Sequence, residues 1–513
     1  MIDLKDFEAN TLSPNSLDCI KNIKVFVEKF VKQKKISNKV NEFSTLIEID
    51  SSIIELKIKK IISNYYDYKN NRFKNFSGKL KIILDFFIYL YIIFLISFNF
   101  KKNKVVNTDI ILFNVDYFDE IDKFKNVLKN FNNSTIISSR KLDFSNTKRN
   151  ISDSYLKENL LLYYQNNFLS IKYKDRENKI KFNTNIENKK DISFDSSCIK
   201  KKFNFIIYSF NLFYCSFKEN FNFFKIFNIV LFAYAKNFSI FKKYKSRFMI
   251  QDRIYNTCPV RNFLFKKMGG KISTCVQSHL AEASINMFND TDLFFTFGDE
   301  QYSKASLNEL GSRVEESYPV GSLRNEVFYE DSTENFHSKN KIDILVVGVN
   351  LFNWLYVNKS QKENYYNFIR LIKLISLKFP NLNICMKHHP NNSKDPVERE
   401  ILKDSQIKYL DPLLNSYTLI KNTRLFISFS STMILEINAI KGNSFFVDLN
   451  QNNNVFFEKN NNLKKIVLST FDEIEKVVDD IFVNKKEMNN NFNDICLKSD
   501  KVSDKIYQKI NNH

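Results

Sequence analysis

Glycine, proline, histidine and tryptophan are scarce in this sequence, and the first three are unevenly placed. The 513 residues include 8 Gly, 7 Pro, 5 His and 1 Trp, against 52 Phe and 24 Tyr. Seven of the eight glycines fall between residues 269 and 442, and six of the seven prolines between 259 and 412. A chain that otherwise avoids Gly uses it where the backbone needs φ > 0 or a close approach. This region is therefore where chemistry is expected.

The seven cysteines lie far apart, without a CxxC pair or the spacing of metal ligands. An odd number at such spacing is typical of free thiols in a reducing compartment, which excludes a disulfide framework. The first residues lack the basic stretch and apolar core of a signal peptide. We therefore expect a cytoplasmic chain, with peripheral contact at the cytoplasmic membrane face left open.

Acidic residues are outnumbered by basic ones, 57 against 77, which gives a formal net charge of +20. Such a balance can indicate nucleic acid or an anionic membrane as a partner. The excess is mostly Lys scattered along the chain, and no zinc finger, RNP-like strand or helix-turn-helix motif accompanies it. The pattern predicts no nucleic-acid partner, a solvated basic surface and at most one patch that faces a membrane.

One apolar run covers residues 82–100 and is flanked by lysines. Its length is just enough to span a bilayer core of ~30 Å, although Asp85 lies near its start. Three interpretations stay open: a buried helix, an in-plane membrane contact, and a true span. A second aromatic stretch, residues 203–241, has the spacing of a helix in a core or at an interface.

Short apolar runs alternate with helical patterns over most of the remaining chain. After a polar linker near residue 335 the alternation becomes regular, which is typical of a doubly wound parallel sheet. We divide the chain into a helical extension (1–105), a first Rossmann-like domain (106–329) with an insertion at about 150–202, a second Rossmann-like domain (341–482) and a polar helical tail (483–513).

Lys387, His388, His389 and Pro390 follow a predicted strand of the second domain, where ligands of such sheets bind. A histidine N–H and a lysine ammonium can both bind phosphate oxygens, and the proline ends the strand. A structural turn is one alternative. A metal site is another, which the opposite directions of adjacent strand residues disfavour. The pattern favours phosphate contact by Lys387 and His389.

Ser430, Ser431 and Thr432 join the strand at 424–429 to a helix, and Glu436 follows one turn later. Hydroxyl groups at such a junction cap the helix, whose first N–H groups then form an anion site. Glu436 shares a face with Thr432 and is placed to accept hydrogen bonds from a ribose diol. A plain helix cap with a first-turn Glu is the alternative. The shared sheet edge with Lys387 favours a nucleotide site.

These motifs resemble those of the GT-B-fold glycosyltransferases of bacterial capsule and surface polysaccharides. A basic His-Pro turn followed by a Ser-Ser/Thr turn and a Glu is similar to the sialic-acid and Kdo transferases and to the teichoic-acid glycerophosphotransferases. In those enzymes both motifs bind the nucleotide phosphates of the donor. The resemblance implies that His389 and residues 430–432 hold phosphates, with Glu436 near the ribose.

The resemblance extends to the first domain. Residues 269–279 read GGKISTCVQSH, which is similar to the strand motif G-x-x-T-x-x-x-Q-H-G of such proteins. Here Ser278 intervenes and no Gly follows His279, so the match departs at this point. We take Gln277 as a candidate for substrate binding and His279 as a candidate for catalysis.

Glycosyl transfer needs a base that deprotonates the acceptor hydroxyl. The candidates are Asp252, His279 and Glu282. For Asp252, a structural ion pair with Arg253 is the alternative. No acidic cluster is well placed for a metal ion, so the leaving phosphate is expected to depend on the basic and dipolar groups of the second domain.

Together these features predict an α/β fold that is GT-B-like: two Rossmann-like parallel-sheet domains facing a cleft, with helical additions at both ends. The first domain is expected to bind the acceptor and the second the donor. We expect an inverting, metal-independent glycosyltransferase without cofactor, which moves a sugar from a nucleotide-activated, CMP-linked donor to a cell-surface polysaccharide or lipid-linked acceptor. The alternatives are a CDP-alditol phosphotransferase of surface polymer synthesis and a non-catalytic GT-B-like assembly protein.

Overall fold

An eight-stranded sheet forms the centre of the first domain in the computed structural model. The residues that the structure describes are 17–68, 78–98, 105–115, 118–138, 169–174, 181–188, 195, 197, 202–252, 257–276, 288–298, 308–309, 311–330, 341–348, 359–388, 395–411, 414, 416–429, 431, 433–449, 461–486, 488, 492–493 and 495–513. The strands of this sheet are β1 (Val106–Val115), β2 (Asn133–Ser138), β3 (Leu169–Lys174), β4 (Lys181–Asn188), β5 (Tyr244–Gln251), β6 (Ile272–Val276), β7 (Asp290–Thr296) and β8 (Arg313–Pro319).

The spatial order of this sheet is β3-β4-β2-β1-β5-β6-β7-β8. Neighbouring strands are parallel, except for the antiparallel β3–β4 hairpin at one edge. The hairpin lies in the predicted insertion and joins the sheet through β4, which pairs with β2. Because β1 lies between β2 and β5, the strand order reverses there, which makes it the switch point of a doubly wound sheet.

Helices cover both faces of this sheet. They are α1 (Leu17–Lys32), α2 (Lys34–Ile47), α3 (Ser51–Tyr68), α4 (Lys79–Phe98), α5 (Phe118–Lys129), α6 (Lys202–Glu219), α7 (Phe224–Lys243), α8 (Pro259–Lys267) and α9 (Leu323–Glu330). The N-terminal helices share one apolar core with Ile111, Phe113 and Met249 of the sheet. The helical extension is therefore packed into the first domain.

The second domain contains a six-stranded sheet. Its strands are β9 (Ile342–Val347), β10 (Ile384–Lys387), β11 (Lys408–Tyr409), β12 (Thr423–Ser428), β13 (Ser444–Val447) and β14 (Val467–Leu468). Their order is β11-β10-β9-β12-β13-β14, and every pair is parallel. The helices are α10 (Lys359–Lys378), α11 (Pro396–Ile401), α12 (Met433–Lys441), α13 (Asn461–Lys465) and α14 (Phe471–Val478). This is the doubly wound order with its switch point between β9 and β12.

The end of the chain returns to the first domain. Helix α15 (Val502–Asn512) buries Val502, Ile506 and Ile510 in the same apolar cluster as Phe124 of α5. The carboxylate of Glu326 in α9 accepts a hydrogen bond from the Ser503 amide at 3.1 Å. The predicted polar tail is thus amphipathic, and its apolar face belongs to the core of the first domain.

The carboxyl ends of β7 and β8 face the second domain. Phe297, just after β7, is buried in the apolar core of the second domain. Ser322, just after β8, donates a hydrogen bond to Glu436 in the first turn of α12, which follows the carboxyl end of β12. The strand ends of the two sheets therefore face one interdomain region, which is the arrangement of the GT-B fold.

Two helices in the described part of the chain have the length and composition to cross a membrane. In α7, 72% of the apolar window is buried, so α7 is a core helix. In α4, which contains most of the apolar run at 82–100, only 33% is buried. One side of α4 packs on the protein, through Ile82, Phe86 and Tyr89, and its other side is exposed.

We predict that Ile506→Ala lowers the free energy of unfolding by about 2–4 kcal/mol, because it opens a cavity where α15 meets α5. Gln508→Ala changes an exposed position of the same helix and should stay within about 0.5 kcal/mol of the parent protein. Urea denaturation followed by circular dichroism measures both. Equal values for the two variants would contradict the docking of α15.

Candidate functional site

One row of residues crosses the switch point of the second sheet at its carboxyl end. Lys387 of β10 and Ser428 of β12 are both register partners of Val347 in β9. The Ser428 hydroxyl donates to the Val347 carbonyl at 2.8 Å, which ties β12 to β9 where the chain leaves both strands. Ligands of doubly wound sheets bind in the crevice that opens at this point.

The chain passes from β12 into α12 through the predicted hydroxyl-rich turn. The Ser431 amide donates to the Ser428 hydroxyl at 2.9 Å, and the Ser431 hydroxyl accepts from the Met433 amide at 3.4 Å. Ser431 therefore lies at the start of α12 as predicted, and the positive end of this helix lies at the carboxyl edge of the sheet. Ser430 and Thr432 lie outside the described residues.

The first histidine of the His-His pair is a buried structural group. His388 is 4% exposed, and its Nε2 lies 2.6 Å from Glu398 Oε1. The Glu398 carboxylate also accepts hydrogen bonds from the Tyr365 and Tyr409 hydroxyls, at 2.7 and 2.9 Å. Burial and the nearby carboxylate raise the pKa of both tyrosines, so both keep the protons that they donate.

His388 also packs against Gly348, the residue that follows β9. Its Nδ1 is buried, with no hydrogen-bond partner among the described residues. A Cβ added at Gly348 would lie 2.6 Å from this atom, so the histidine ring occupies the space that a side chain there would need. The carboxyl end of β9 is thus bordered by a buried imidazole nitrogen. His389, the predicted phosphate ligand, lies outside the described residues.

Lys387 is the charged residue in the row at the switch point. The residue is 6% exposed, and burial lowers the pKa of its ammonium to about 8, against the opposing influence of Asp411. Its Nζ lies 3.4 Å from the His388 carbonyl oxygen. Burying an ammonium costs free energy that an anion beside it would offset. This placement suits the predicted phosphate contact.

Glu436 has a set of partners that the sequence did not indicate. It is 5% exposed, and its two carboxylate oxygens accept hydrogen bonds from the Ser322 and Tyr417 hydroxyls. The Asn325 side chain also donates to the Glu436 carbonyl at 3.0 Å. The structure therefore shows Glu436 joining the two domains, and its contact with a ribose stays a prediction.

Asp252, one candidate for the base, lies just after β5 and is 1% exposed. Its Oδ1 lies 2.6 Å from Nζ of Lys123 in α5, and that lysine is also buried. A base must reach the acceptor hydroxyl, and a buried ion pair holds this carboxylate away from it. The arrangement favours the alternative of a structural ion pair, in which Lys123 is the cation. Arg253 lies outside the described residues.

Gln277, His279 and Glu282 also lie outside the described residues. The sequence places them directly after β6, which ends at Val276. Among the residues that the structure does describe, no group of three His, Cys, Asp or Glu side chains is arranged to hold a metal ion.

The sequence did not single out Arg261, which lies at the switch point of the first sheet. Its side chain is 1% exposed, donates to Gln251 Oε1, and lies over the Phe113 ring at 4.7 Å from the ring centroid. Phe113 and Gln251 are register partners at the carboxyl ends of β1 and β5. The one local signal in the sequence that could have pointed to Arg261 is Pro259, which begins α8 two residues before it.

No protein-family model and no curated protein matches this sequence. Similar solved structures include S. aureus MnaA with UDP, at 10% identity and a TM-score of 0.46, over 78% of this chain and 96% of that one. The UDP-GlcNAc 2-epimerase of Neisseria meningitidis bound to UDP-GlcNAc has 11% identity and a TM-score of 0.45, over 80% and 100%. The wall teichoic acid polymerase TagF has 9% identity and a TM-score of 0.36, over 85% and 97%. All three likenesses are distant.

We predict that Lys387→Met stabilises the protein at pH 7 by on the order of 2 kcal/mol, since it removes a buried charge. The pKa of Lys387 is about 8 in the folded state, below the ordinary value of 10.5. Below pH 8 the lysine is charged in both states and its burial cost is complete. Above pH 8 the folded state releases the proton first, so the advantage of the variant shrinks as the pH rises through this window.

Urea denaturation at pH 7 and at pH 9.5 measures this difference. Lys403→Met is the matched control, because Lys403 is exposed and should give no pH-dependent gain. A Lys387→Met variant that is less stable than the parent protein at pH 7 would show that the ammonium is stabilising where it lies.

Proposed function

We propose that this protein is a glycosyltransferase that binds a nucleotide-activated sugar at the carboxyl edge of its second domain. The sugar moves to a cell-surface polysaccharide or lipid-linked acceptor held by the first domain. The observation that carries the proposal is the row of Lys387, Val347 and Ser428 across the switch point, beside the capped start of α12. A CMP-linked donor is the expected one.

On the donor side, the nucleotide phosphates lie between Gly348 and the first turn of α12. The N–H groups of that turn and the Lys387 ammonium supply positive potential there. His389 follows directly after the buried His388, and Ser430 and Thr432 flank Ser431 in sequence. This set binds the donor without a metal ion, as expected from a sequence in which no acidic cluster is well placed to hold one.

During transfer, negative charge develops on the phosphate that leaves the sugar. Groups that are already oriented toward this oxygen stabilise the transition state more than the ground state. The helix start is held by the Ser428–Ser431 contacts, and Lys387 is held by burial, so neither needs to reorganise. Attack by the acceptor from the opposite side of the sugar gives inversion.

On the acceptor side, the base comes from the segment that follows β6. Asp252 is committed to its ion pair with Lys123, whereas His279 and Glu282 follow directly after the carboxyl end of β6 in sequence. That end belongs to the same edge of the first sheet as β7 and β8, whose following residues contact the second domain. Residues that follow this end are therefore the candidates for the base.

We predict that at least one of CMP, CDP, UDP and GDP raises the thermal unfolding midpoint. A ligand that binds only the folded state stabilises it by about 2.7 kcal/mol at a concentration of 100 Kd. His389→Ala and Ser431→Ala should each abolish the shift. No shift with any of the four nucleotides would contradict the proposal.

Thr470→Ala is the matched control for Ser431→Ala. Thr470 caps α14, far from the switch point in the sheet, and its hydroxyl accepts from the Glu473 amide at 3.2 Å. Both variants lose a helix cap, worth about 1 kcal/mol. Only Ser431→Ala should lose the nucleotide response. Analysis of the product then separates sugar transfer from transfer of an alditol phosphate, because the second reaction leaves a phosphodiester.

A further inference from the structure

Helices α4 and α6 expose apolar side chains along one stripe each. On α4 these are Leu80, Leu84, Phe87, Ile88, Tyr91 and Phe94, which are between 48% and 71% exposed. On α6 they are Phe203, Ile206, Ile207, Phe210 and Tyr214, between 41% and 72% exposed. The spacing of three or four residues places each set on one side of its helix.

The two stripes form one continuous surface, which we name the α4–α6 face. Phe86 of α4 joins them, because its ring lies 5.7 Å from that of Phe87 and 5.8 Å from that of Phe210, centroid to centroid. It also packs at 4.7 Å against Phe213. An ordinary soluble protein exposes large apolar side chains singly, and it rarely has this many on one continuous surface.

The charged groups of both helices lie away from this face or at its ends. Asp85, the one acidic residue of α4, accepts a hydrogen bond at 2.6 Å from Asn222, which precedes α7. The exposed residues of α4 between Leu84 and Phe94 are all apolar. Lys79 and Lys81 are exposed at the start of α4, and Lys218 is exposed near the end of α6. In sequence, three more lysines follow α4.

We propose that the α4–α6 face binds the surface of an anionic lipid bilayer, with both helices lying in the plane of the interface. Apolar side chains enter the boundary between headgroups and acyl chains, and lysines at the helix ends contact acidic headgroups. The net charge of +20 adds attraction to such a surface. The inference stands independently of the nucleotide site.

The packing of α4 opposes a transmembrane orientation. Its inner side contacts α7 through Phe86 and Tyr89, each with its ring centroid 5.4 Å from that of Phe224. The Asn228 side chain donates to the Asp85 carbonyl at 3.0 Å. A helix that is held along one side by the protein and apolar along the other suits an in-plane contact.

Vesicle sedimentation of the full chain tests the proposal. The protein should pellet with vesicles of equal phosphatidylglycerol and phosphatidylcholine, and much less with phosphatidylcholine alone. Phe87→Glu with Phe210→Glu should lower the partition coefficient about tenfold or more, since both side chains are exposed and belong to the proposed contact. Lys79→Gln with Lys81→Gln should lower it about fivefold per lysine, on anionic vesicles only.

Leu374→Glu with Leu377→Glu is the matched control. These leucines of α10 are 54% and 56% exposed, and they lie in the second domain. The control should bind vesicles like the parent protein. Circular dichroism of all variants verifies that they are folded.

Three results would overturn the proposal. One is undiminished binding of the Phe87/Phe210 variant. Another is a parent protein that does not bind anionic vesicles and sediments as a dimer, while the Phe87/Phe210 variant is a monomer. The α4–α6 face would then bind a second copy of the chain. The third is retention in vesicles after an alkaline carbonate wash, which would indicate a span.

Discussion

The buried carboxylate of Glu436 joins the two halves of this molecule. One oxygen accepts from Ser322, just after β8 of the first domain, and the other from Tyr417 in the second domain. Hydrogen bonds to a charged group are worth about 1.5–3 kcal/mol, and a buried carboxylate that loses them is strongly destabilising. Because Glu436 lies in the first turn of α12, this contact also fixes the helix start that lines the proposed phosphate site.

Around this contact, the second domain keeps polar groups at a cost to stability. Lys387 is held where burial lowers its pKa, and His388 keeps one ring nitrogen buried without a partner among the described residues. A buried lysine with a lowered pKa, such as Lys387, is more typical of a binding site than of a structural core when it lies at the carboxyl end of a parallel sheet. In the first domain, the buried Asp252 forms an ion pair with Lys123.

The sheets were predictable because their strands are apolar on both faces and end in polar residues. Ile344, Leu345 and Val346 are buried in β9, as the continuous apolar run indicates. The helix start at Ser431 was predictable from local hydroxyl chemistry, and the fold class was correct. Local patterns could also show that the apolar stretches containing α4, α6 and α7 are helical, but not which sides of these helices are exposed.

Long-range partners could not be predicted from the sequence. Glu436 and Ser322 are 114 residues apart, and Asp252 and Lys123 are 129 apart, so no local spacing connects them. Likewise, the sequence favoured His389 over His388 as the phosphate ligand but did not indicate the partner of His388. Only packing shows that His388 turns toward Glu398, ten residues later, at 2.6 Å.

We propose above that nucleotide phosphates bind at the switch point between β9 and β12. A crystal structure of the protein with a bound nucleoside diphosphate would show where they lie. We expect phosphate oxygens within hydrogen-bond distance of the first turn of α12, beside Gly348 and Lys387. Density for the nucleotide at any other place, such as the carboxyl ends of β1 and β5 in the first domain, would contradict it.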